Sequence, residues 1–196
     1  KLIKLIKLNK VNYLFTTASE NVAWLLNMRG NDTDYSPLPN SHALIDKNGK
    51  INLFCNLKKI NKSLKLNLNK KINIYDFNSL PAFILNLFNK KILTDSLTCS
   101  VFFKSIIKKN NLILEKSDPI YYLKSLKNNT EIKNTIKTHI YDGVALTKFL
   151  FWLKNNFKTR KITEISAQEK LLEFRKKNKS FRFLSFPTIS GTGPNS

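Results

Sequence analysis

The chain has 196 residues, which suffices for one domain or for one domain and part of a second. Hydrophobic residues make up 42% and only 5 residues are glycine and 6 proline, so a disordered or linker-like chain is excluded. The net charge of +21 invites a nucleic-acid function, whereas no apolar run in the sequence is long enough to span a membrane and no secretory signal is recognisable.

Taken in chain order, the first part of the sequence predicts an α/β domain with a mixed sheet, because short apolar strands alternate with helical segments. The predicted strands are Val11–Phe15, Leu25–Asn27, Ala43–Ile45, Ile51–Cys55, Ile72–Tyr75, Ile92–Thr94 and Leu112–Leu114. The predicted helices are an opening helix with Leu2, Ile3, Leu5 and Ile6 on one face, a short turn at Val22–Trp24 capped by Ser19, Leu80–Phe88 and Leu97–Ile107. Asn48-Gly49 predicts a hairpin turn between two of the strands.

The pattern changes near Lys116-Ser117, where we predict a domain boundary that divides the chain into 1–116 and 117–196. Asp118-Pro119 is a helix start signal, since Asp suits the N-cap and Pro the first helical position. The second part is then predicted to hold three further elements. They are a long helix over Thr130–Phe157 with Gly143 at a close contact, a helix capped by Thr163 that runs to Lys177, and a strand at Phe181–Phe186.

No catalytic or metal-binding motif is complete in this sequence. His42 and His139 lack partners at metal-ligand spacing, and we interpret His139 as structural or solvated. Cys55 and Cys99 are far apart, which predicts buried apolar cysteines and excludes a CxxC zinc site. The loop pair Asp32 and Asp34 is too sparse for a calcium loop. The motifs alone therefore assign no catalytic or metal-ligating residue.

Arg29 stands out because the chain has only four arginines among its many lysines. It follows an apolar segment and precedes Gly30, so a turn would hold its guanidinium in place. A fixed guanidinium suits a carboxylate partner. The alternative is a buried structural ion pair with Asp32 or Asp34.

The lysines are scattered along the whole chain, together with abundant Asn, Ile, Leu and Phe. This mixture is typical of an AT-rich genome, whereas specific readers of nucleic acids favour arginine. We therefore predict no specific nucleic-acid partner, but expect nonspecific, salt-sensitive binding. A dedicated nucleic-acid domain would instead cluster its basic residues on one face.

Four stretches of the sequence carry a resemblance to a known family: Glu20–Ile45, Leu123–Leu153, Thr163–Lys177 and Leu184–Ser196. They resemble three-domain Xaa-Pro aminopeptidases and occur in the same order as in that family. Glu20–Ile45, with its Ala-Trp-Leu-Leu-Asn-x-Arg-Gly-x-Asp motif, resembles the middle domain. Leu123–Leu153 resembles the entry to the catalytic domain, although Thr138 and Tyr141 replace the usual Ala and Arg.

The resemblance implies a creatinase N-terminal-like middle domain, followed by the first helices and first strand of a pita-bread catalytic domain. In that family a shuttle His lies shortly after the Gly-Pro-Asn turn, and two Asp, one His and two Glu that come later hold two divalent metal ions, commonly Mn²⁺. All of these residues would lie beyond Ser196. The implied reaction releases the N-terminal residue from peptides with proline in second position. This chain alone is expected to be inactive and metal-free. The parent is expected to be a cytoplasmic homodimer without a membrane partner.

In related folds, loops of the front domains lean over the catalytic cleft, so Arg29 and Asp32 are our candidate substrate-binding residues. Two alternatives remain open at this stage. One is a binding protein built on the peptidase fold without metals, and the other is a basic nucleic-acid-binding domain.

Overall fold

The computed structural model describes residues 1–61, 63–64 and 71–195, and it divides into two compact units, Lys1–Leu126 and Lys127–Ser196. The first unit is built on a six-stranded mixed sheet, as the alternation of strands and helices predicts. Its strands are β1 Tyr13–Thr16, β2 Ser41–Asp46, β3 Ile51–Cys55, β4 Ile72–Asp76, β5 Lys91–Thr94 and β6 Leu112–Glu115. The chain therefore has the α/β class and mixed sheet expected from its sequence.

The spatial order of the strands is β4-β3-β2-β1-β5-β6, so the earliest strand lies in the interior of the sheet. Strand β2 pairs antiparallel with both β1 and β3, whereas β1/β5, β5/β6 and β3/β4 are parallel. The register places Leu14 between Ile45 and Leu93. All three side chains are buried, which fixes the register because a one-residue slip would turn them to the other face.

The helices of the first unit cover the sheet on its two faces. They are α1 Leu2–Leu8, α2 Ser19–Leu26, α3 Leu80–Leu85, α4 Val101–Asn110 and α5 Pro119–Ser125. One core cluster gathers Leu14, Val22 and Ile120, and the other gathers Phe15, Leu80 and Ile107. The alternation of Leu14 and Phe15 between the clusters follows from the two-residue period of a strand.

The Asn48-Gly49 hairpin is confirmed between β2 and β3, with Gly49 at φ 88°. The predicted strand Leu25–Asn27 is wrong, because helix α2 continues to Leu26 and Asn27 closes it in the left-handed conformation. A short apolar run fits a buried strand or a buried helix end equally well. Ser19 is the first residue of α2 and donates its hydroxyl to the Ser41 carbonyl, so the predicted capping role is also wrong.

Helix α5 is fixed to the sheet by a buried polar network around its N-cap, Asp118. Asp118 Oδ1 accepts the Ile120 N–H at 2.9 Å, and Oδ2 accepts the Asn21 amide at 3.0 Å. The Asp118 N–H in turn donates to Asp95 Oδ2 at 2.8 Å. The predicted start signal is therefore confirmed, and its cap also joins α5 to α2 and to the end of β5.

The second unit consists of helices α6 Asn129–Asn156 and α7 Glu164–Lys176. Thr163 caps α7 as predicted, and Arg175 of α7 forms a two-contact ion pair with Asp142 of α6 at 2.7 and 3.1 Å. The strand predicted at Phe181–Phe186 is wrong, since the structure has no regular element there. The close contact predicted at Gly143 is wrong for the described residues, because an added Cβ there would meet none of their atoms within 4 Å.

Candidate functional site

The segment after α2 forms a closed loop that leads into β2. Met28 is buried and anchors the start of the loop. Gly30 N–H donates to the Pro37 carbonyl and Asp32 N–H to the Leu38 carbonyl, both at 3.1 Å. These two bonds join the outgoing and returning halves of the loop, so residues 29–40 have a defined shape despite two prolines.

Gly30 is required by packing, because a Cβ at this position would lie 2.6 Å from the Pro39 Cα and N atoms. Both contacts are with backbone, which cannot rotate aside. The sequence indicates a turn here, and the structure adds the physical reason for the glycine.

Replacing Gly30 with alanine is expected to lower the free energy of unfolding of the first unit by about 1–3 kcal/mol, as for an overpacked site. Urea unfolding followed by Trp24 fluorescence in a Trp152→Phe background reports this unit alone, because the two tryptophans lie in different units. Gly143→Ala is the matched control, and it should leave the Trp24 transition unchanged. Equal stability of Gly30→Ala and the parent would contradict the tight approach of Pro39.

Asp32 holds the loop through both of its carboxylate oxygens. Oδ2 accepts the Asn40 N–H at 2.8 Å, and Oδ1 pairs with the Lys59 ammonium group. The side chain is only 9% exposed. The hydrogen bond from Lys59, followed by that from Asn40, lowers the pKa of Asp32, so the carboxylate remains ionised well into the acidic range. Both carboxylate oxygens of Asp32 therefore already have partners within the protein.

Arg29 is exposed, and its Nη1 donates to the Met28 carbonyl at 2.7 Å. Among the described residues no carboxylate pairs with it, because Asp32 is engaged by Lys59. The alternative of a buried structural ion pair with Asp32 or Asp34 is therefore wrong for this structure. One edge of the guanidinium is held by the backbone, and the group remains accessible to an external carboxylate.

The loop borders a cavity of about 320 Å³. It is lined by Met28, Arg29, Gly30, Asn31, Asp32, Pro39, Asn40, Cys55, Asn56, Lys59, Ile60 and Leu64. A second depression of about 650 Å³ shares Asp32 and Lys59 with it and extends to Asp76 and Asn78. Sequence reasoning missed Lys59 and Cys55, since they come from β3 and the turn that follows it, and Lys59 lies 27 positions after Asp32.

The residues in the described ranges do not fit a dinuclear metal centre, because no three His, Cys, Asp or Glu side chains come together there. His42 packs against the rings of Phe15, Phe77 and Phe103, and burial lowers its pKa, which favours a neutral ring. His139 is exposed, with Nδ1 2.9 Å from the Thr135 carbonyl.

The two cysteines are buried, as their isolation in the sequence predicts. Burial raises the pKa of Cys55 and of Cys99 to about 11, so both thiols are protonated at neutral pH. A protonated buried thiol is a poor nucleophile and a poor metal ligand.

Within the part of the chain that the structure describes, no helix combines the length and apolarity needed to cross a membrane.

The fold and this loop define a domain of the creatinase/prolidase class, and residues 1–131 match the model of the creatinase/prolidase N-terminal domain. The chain therefore belongs to that family. It is 33% identical over 195 residues to Xaa-Pro aminopeptidase 1 of Dictyostelium discoideum, with 96% of this chain covered. It is also 33% identical over 198 residues to Xaa-Pro aminopeptidase ApepP of Drosophila melanogaster, with 97% covered. The chain spans 31% and 32% of the length of these two relatives.

Solved structures agree with this assignment. X-prolyl aminopeptidase from Caenorhabditis elegans, described as a cytosolic enzyme with a di-nuclear active site, superposes with a TM-score of 0.88 and 25% identity. The superposition covers 97% of this chain and 32% of the nematode enzyme. Prolidase from Pyrococcus furiosus shares the fold at a TM-score of 0.62 and 17% identity, over 90% of this chain and 48% of its own.

Proposed function

We propose that this chain is the front portion of a dinuclear-metal Xaa-Pro aminopeptidase, which removes the N-terminal residue from peptides with proline in second position. The observation that carries the proposal is the superposition on X-prolyl aminopeptidase from C. elegans, with a TM-score of 0.88 over 97% of this chain. Residues 1–116 form the middle domain, and residues 117–196 open the pita-bread catalytic domain. The chain alone is inactive.

The catalytic metal ions belong to a part of the parent protein outside this chain. The described residues offer no donor set for them, and the relatives are about three times as long as the chain. Two divalent ions, Mn²⁺ by resemblance to the family, would supply Lewis-acid chemistry there. By the same resemblance, the parent is a cytoplasmic homodimer that acts on proline-containing peptides.

The contribution of this chain to the reaction is peptide positioning by the Arg29 loop. The exposed Arg29 guanidinium can form a charge-assisted hydrogen bond with a carboxylate of the peptide. Asp32 acts through Lys59 and Asn40 as a positioning residue, because both of its oxygens are engaged within the protein. Gly30 and Pro39 fix the distance between the two halves of the loop.

Arg29→Ala in the full-length parent is expected to lower kcat/KM for an Xaa-Pro tripeptide by about tenfold or more, since a hydrogen bond to a charged group contributes about 1.5–3 kcal/mol. Lys47→Ala is the matched control. It also removes an exposed cation, but from the turn at the opposite end of β2. A change below twofold at unchanged stability would exclude a substrate role for Arg29.

The same assay tests the proposed function itself. The parent is expected to cleave an Xaa-Pro peptide after its first residue, to leave the corresponding Xaa-Ala peptide largely intact, and to lose activity in a chelator. A folded parent that cleaves neither peptide with Mn²⁺ supplied would refute the proposal in favour of the metal-free binding protein.

A further inference from the structure

Four lysines line one depression at the edge of the first unit, far along the chain from the Arg29 loop. The depression has a volume of about 640 Å³. It is lined by Asn12, Phe88, Asn89, Lys90, Lys91, Lys108, Lys109, Asn110, Asn111 and Leu112. The lining contains four lysines and no carboxylate. A lysine bias that comes only from genome composition would spread the lysines over the surface and would not predict this cluster.

The lysines come from two segments that the parallel pairing of β5 and β6 brings together. Lys90 and Lys91 stand at the start of β5, and Lys108 and Lys109 lie in the last turn of α4. A helix C-terminus favours nearby cations, which accounts for the second pair. Lys90 and Lys91 have no such explanation. None of the four forms a salt bridge with a described residue.

The backbone of Lys90 and Lys91 is held both by strand pairing and by asparagine side chains at this edge of the sheet. Lys91 N–H donates to Asn12 Oδ1 at 2.8 Å, and Lys90 N–H donates to Asn111 Oδ1 at 2.9 Å. Asn111 also donates its amide to the Leu87 carbonyl at 2.7 Å. The ammonium groups therefore project from a fixed frame, while their own side chains stay free to adjust to a ligand.

Phe88 gives the depression a second property. Phe88 is 58% exposed, and it lines the same depression as the lysines. An exposed aromatic face next to several cations is the combination that holds single-stranded nucleic acid, with bases stacked on the ring and phosphates near the ammonium groups. A flat bilayer would not follow the concave surface.

We propose that this depression, which we call the lysine depression, binds single-stranded nucleic acid without sequence preference. The absence of arginine from its lining fits such binding, because lysine provides point charges for phosphates and lacks the fork that reads base edges. The proposal is independent of the peptidase function.

The test is the affinity of the 196-residue chain for a fluorescent ten-nucleotide oligouridine, measured by anisotropy at several salt concentrations. Four phosphate contacts predict a slope of about −3 in log K against log salt, which is a roughly 50-fold loss of affinity between about 50 and 200 mM salt. The quadruple variant Lys90→Ala, Lys91→Ala, Lys108→Ala and Lys109→Ala should lose most of this slope. Phe88→Ala should weaken binding by at least fivefold with the slope unchanged.

The matched control is Lys133→Ala, Lys148→Ala, Lys154→Ala and Lys179→Ala, which removes the same charge from exposed lysines of the second unit. It should weaken binding no more than about threefold. Equal losses in the two quadruple variants would overturn the proposal and assign the binding to net charge alone. Absence of oligouridine binding, or binding only to phosphatidylserine vesicles, would also overturn it. Circular dichroism verifies that the variants are folded, and single charge reversals at Lys108 and Lys109 provide milder substitutions.

Discussion

Phe15→Ala is expected to lower the free energy of unfolding of the first unit by about 3–5 kcal/mol, the range for removing a buried phenyl ring. Phe15 lies on the interior strand β1 and is 1% exposed. Its ring makes an edge contact with Phe103 at 5.5 Å between centroids and another with His42 at 6.0 Å. Alanine would leave a cavity between the sheet and α4, because the rings of Phe103 and His42 would lose a common neighbour.

The measurement is urea unfolding followed by Trp24 fluorescence in the Trp152→Phe background. Phe102→Ala is the matched control, since Phe102 precedes Phe103 on α4 and is 57% exposed. It should cost about 1 kcal/mol or less. Similar losses for Phe15 and Phe102 would contradict the assignment of Phe15 to the core.

Asp118→Ala is expected to lower the free energy of unfolding of the same unit by about 2–5 kcal/mol. The variant removes an N-cap, which contributes about 1–2 kcal/mol, and leaves the buried Asn21 amide without its acceptor, which costs about 1–3 kcal/mol. Ser100→Ala is the matched control, because Ser100 caps α4 through the Phe103 N–H but is exposed. An equal, small loss in both variants would show that the buried network adds nothing to capping.

The pH dependence gives an independent check on Asp118. Burial raises the pKa of Asp118, so the folded state favours its protonated form. Its contribution to stability is therefore fully present below the pKa of the unfolded chain and declines as the pH rises through the raised value. The difference between wild type and Asp118→Ala should be larger at about pH 4 than at about pH 7. The opposite trend would contradict the raised pKa.

Most of the sheet could be predicted from the sequence, because its strands are short apolar runs bounded by Asn, Gly and Pro. The Asn48-Gly49 turn fixed one pairing outright. The failures have a common cause. Leu25–Asn27 and Phe181–Phe186 are apolar runs as well, but the first completes a helix and the second has no regular partner in the described chain. Phe183 and Phe186 are also exposed, at 48% and 63%. An apolar run is therefore not enough to predict a strand, because strand pairing depends on neighbours that are distant in sequence.

The candidate sites show the same difference between residues that are close in sequence and residues that only the fold brings together. Arg29, Gly30 and Asp32 could be proposed from the sequence, since they lie within four consecutive positions of one predicted turn. The ion pair between Asp32 and Lys59 could not be predicted from the sequence, because Lys59 comes close to Asp32 only through the pairing of β2 with β3. The lysine depression could not be predicted from the sequence either. Its two lysine pairs are eighteen positions apart, and the pairing of β5 with β6 brings them together.

The interior position of β1 has a consequence for biosynthesis. Of the six strands, β1 leaves the ribosome first, yet its parallel neighbour β5 follows almost eighty residues later. The β2–β3 hairpin can cover only one side of β1, so its other edge stays open while the intervening chain is translated. Parallel pairing over such a separation is slow because a large loop must close. We therefore expect nascent chains that end before about residue 95 of this sequence to bind chaperones or to aggregate through β1.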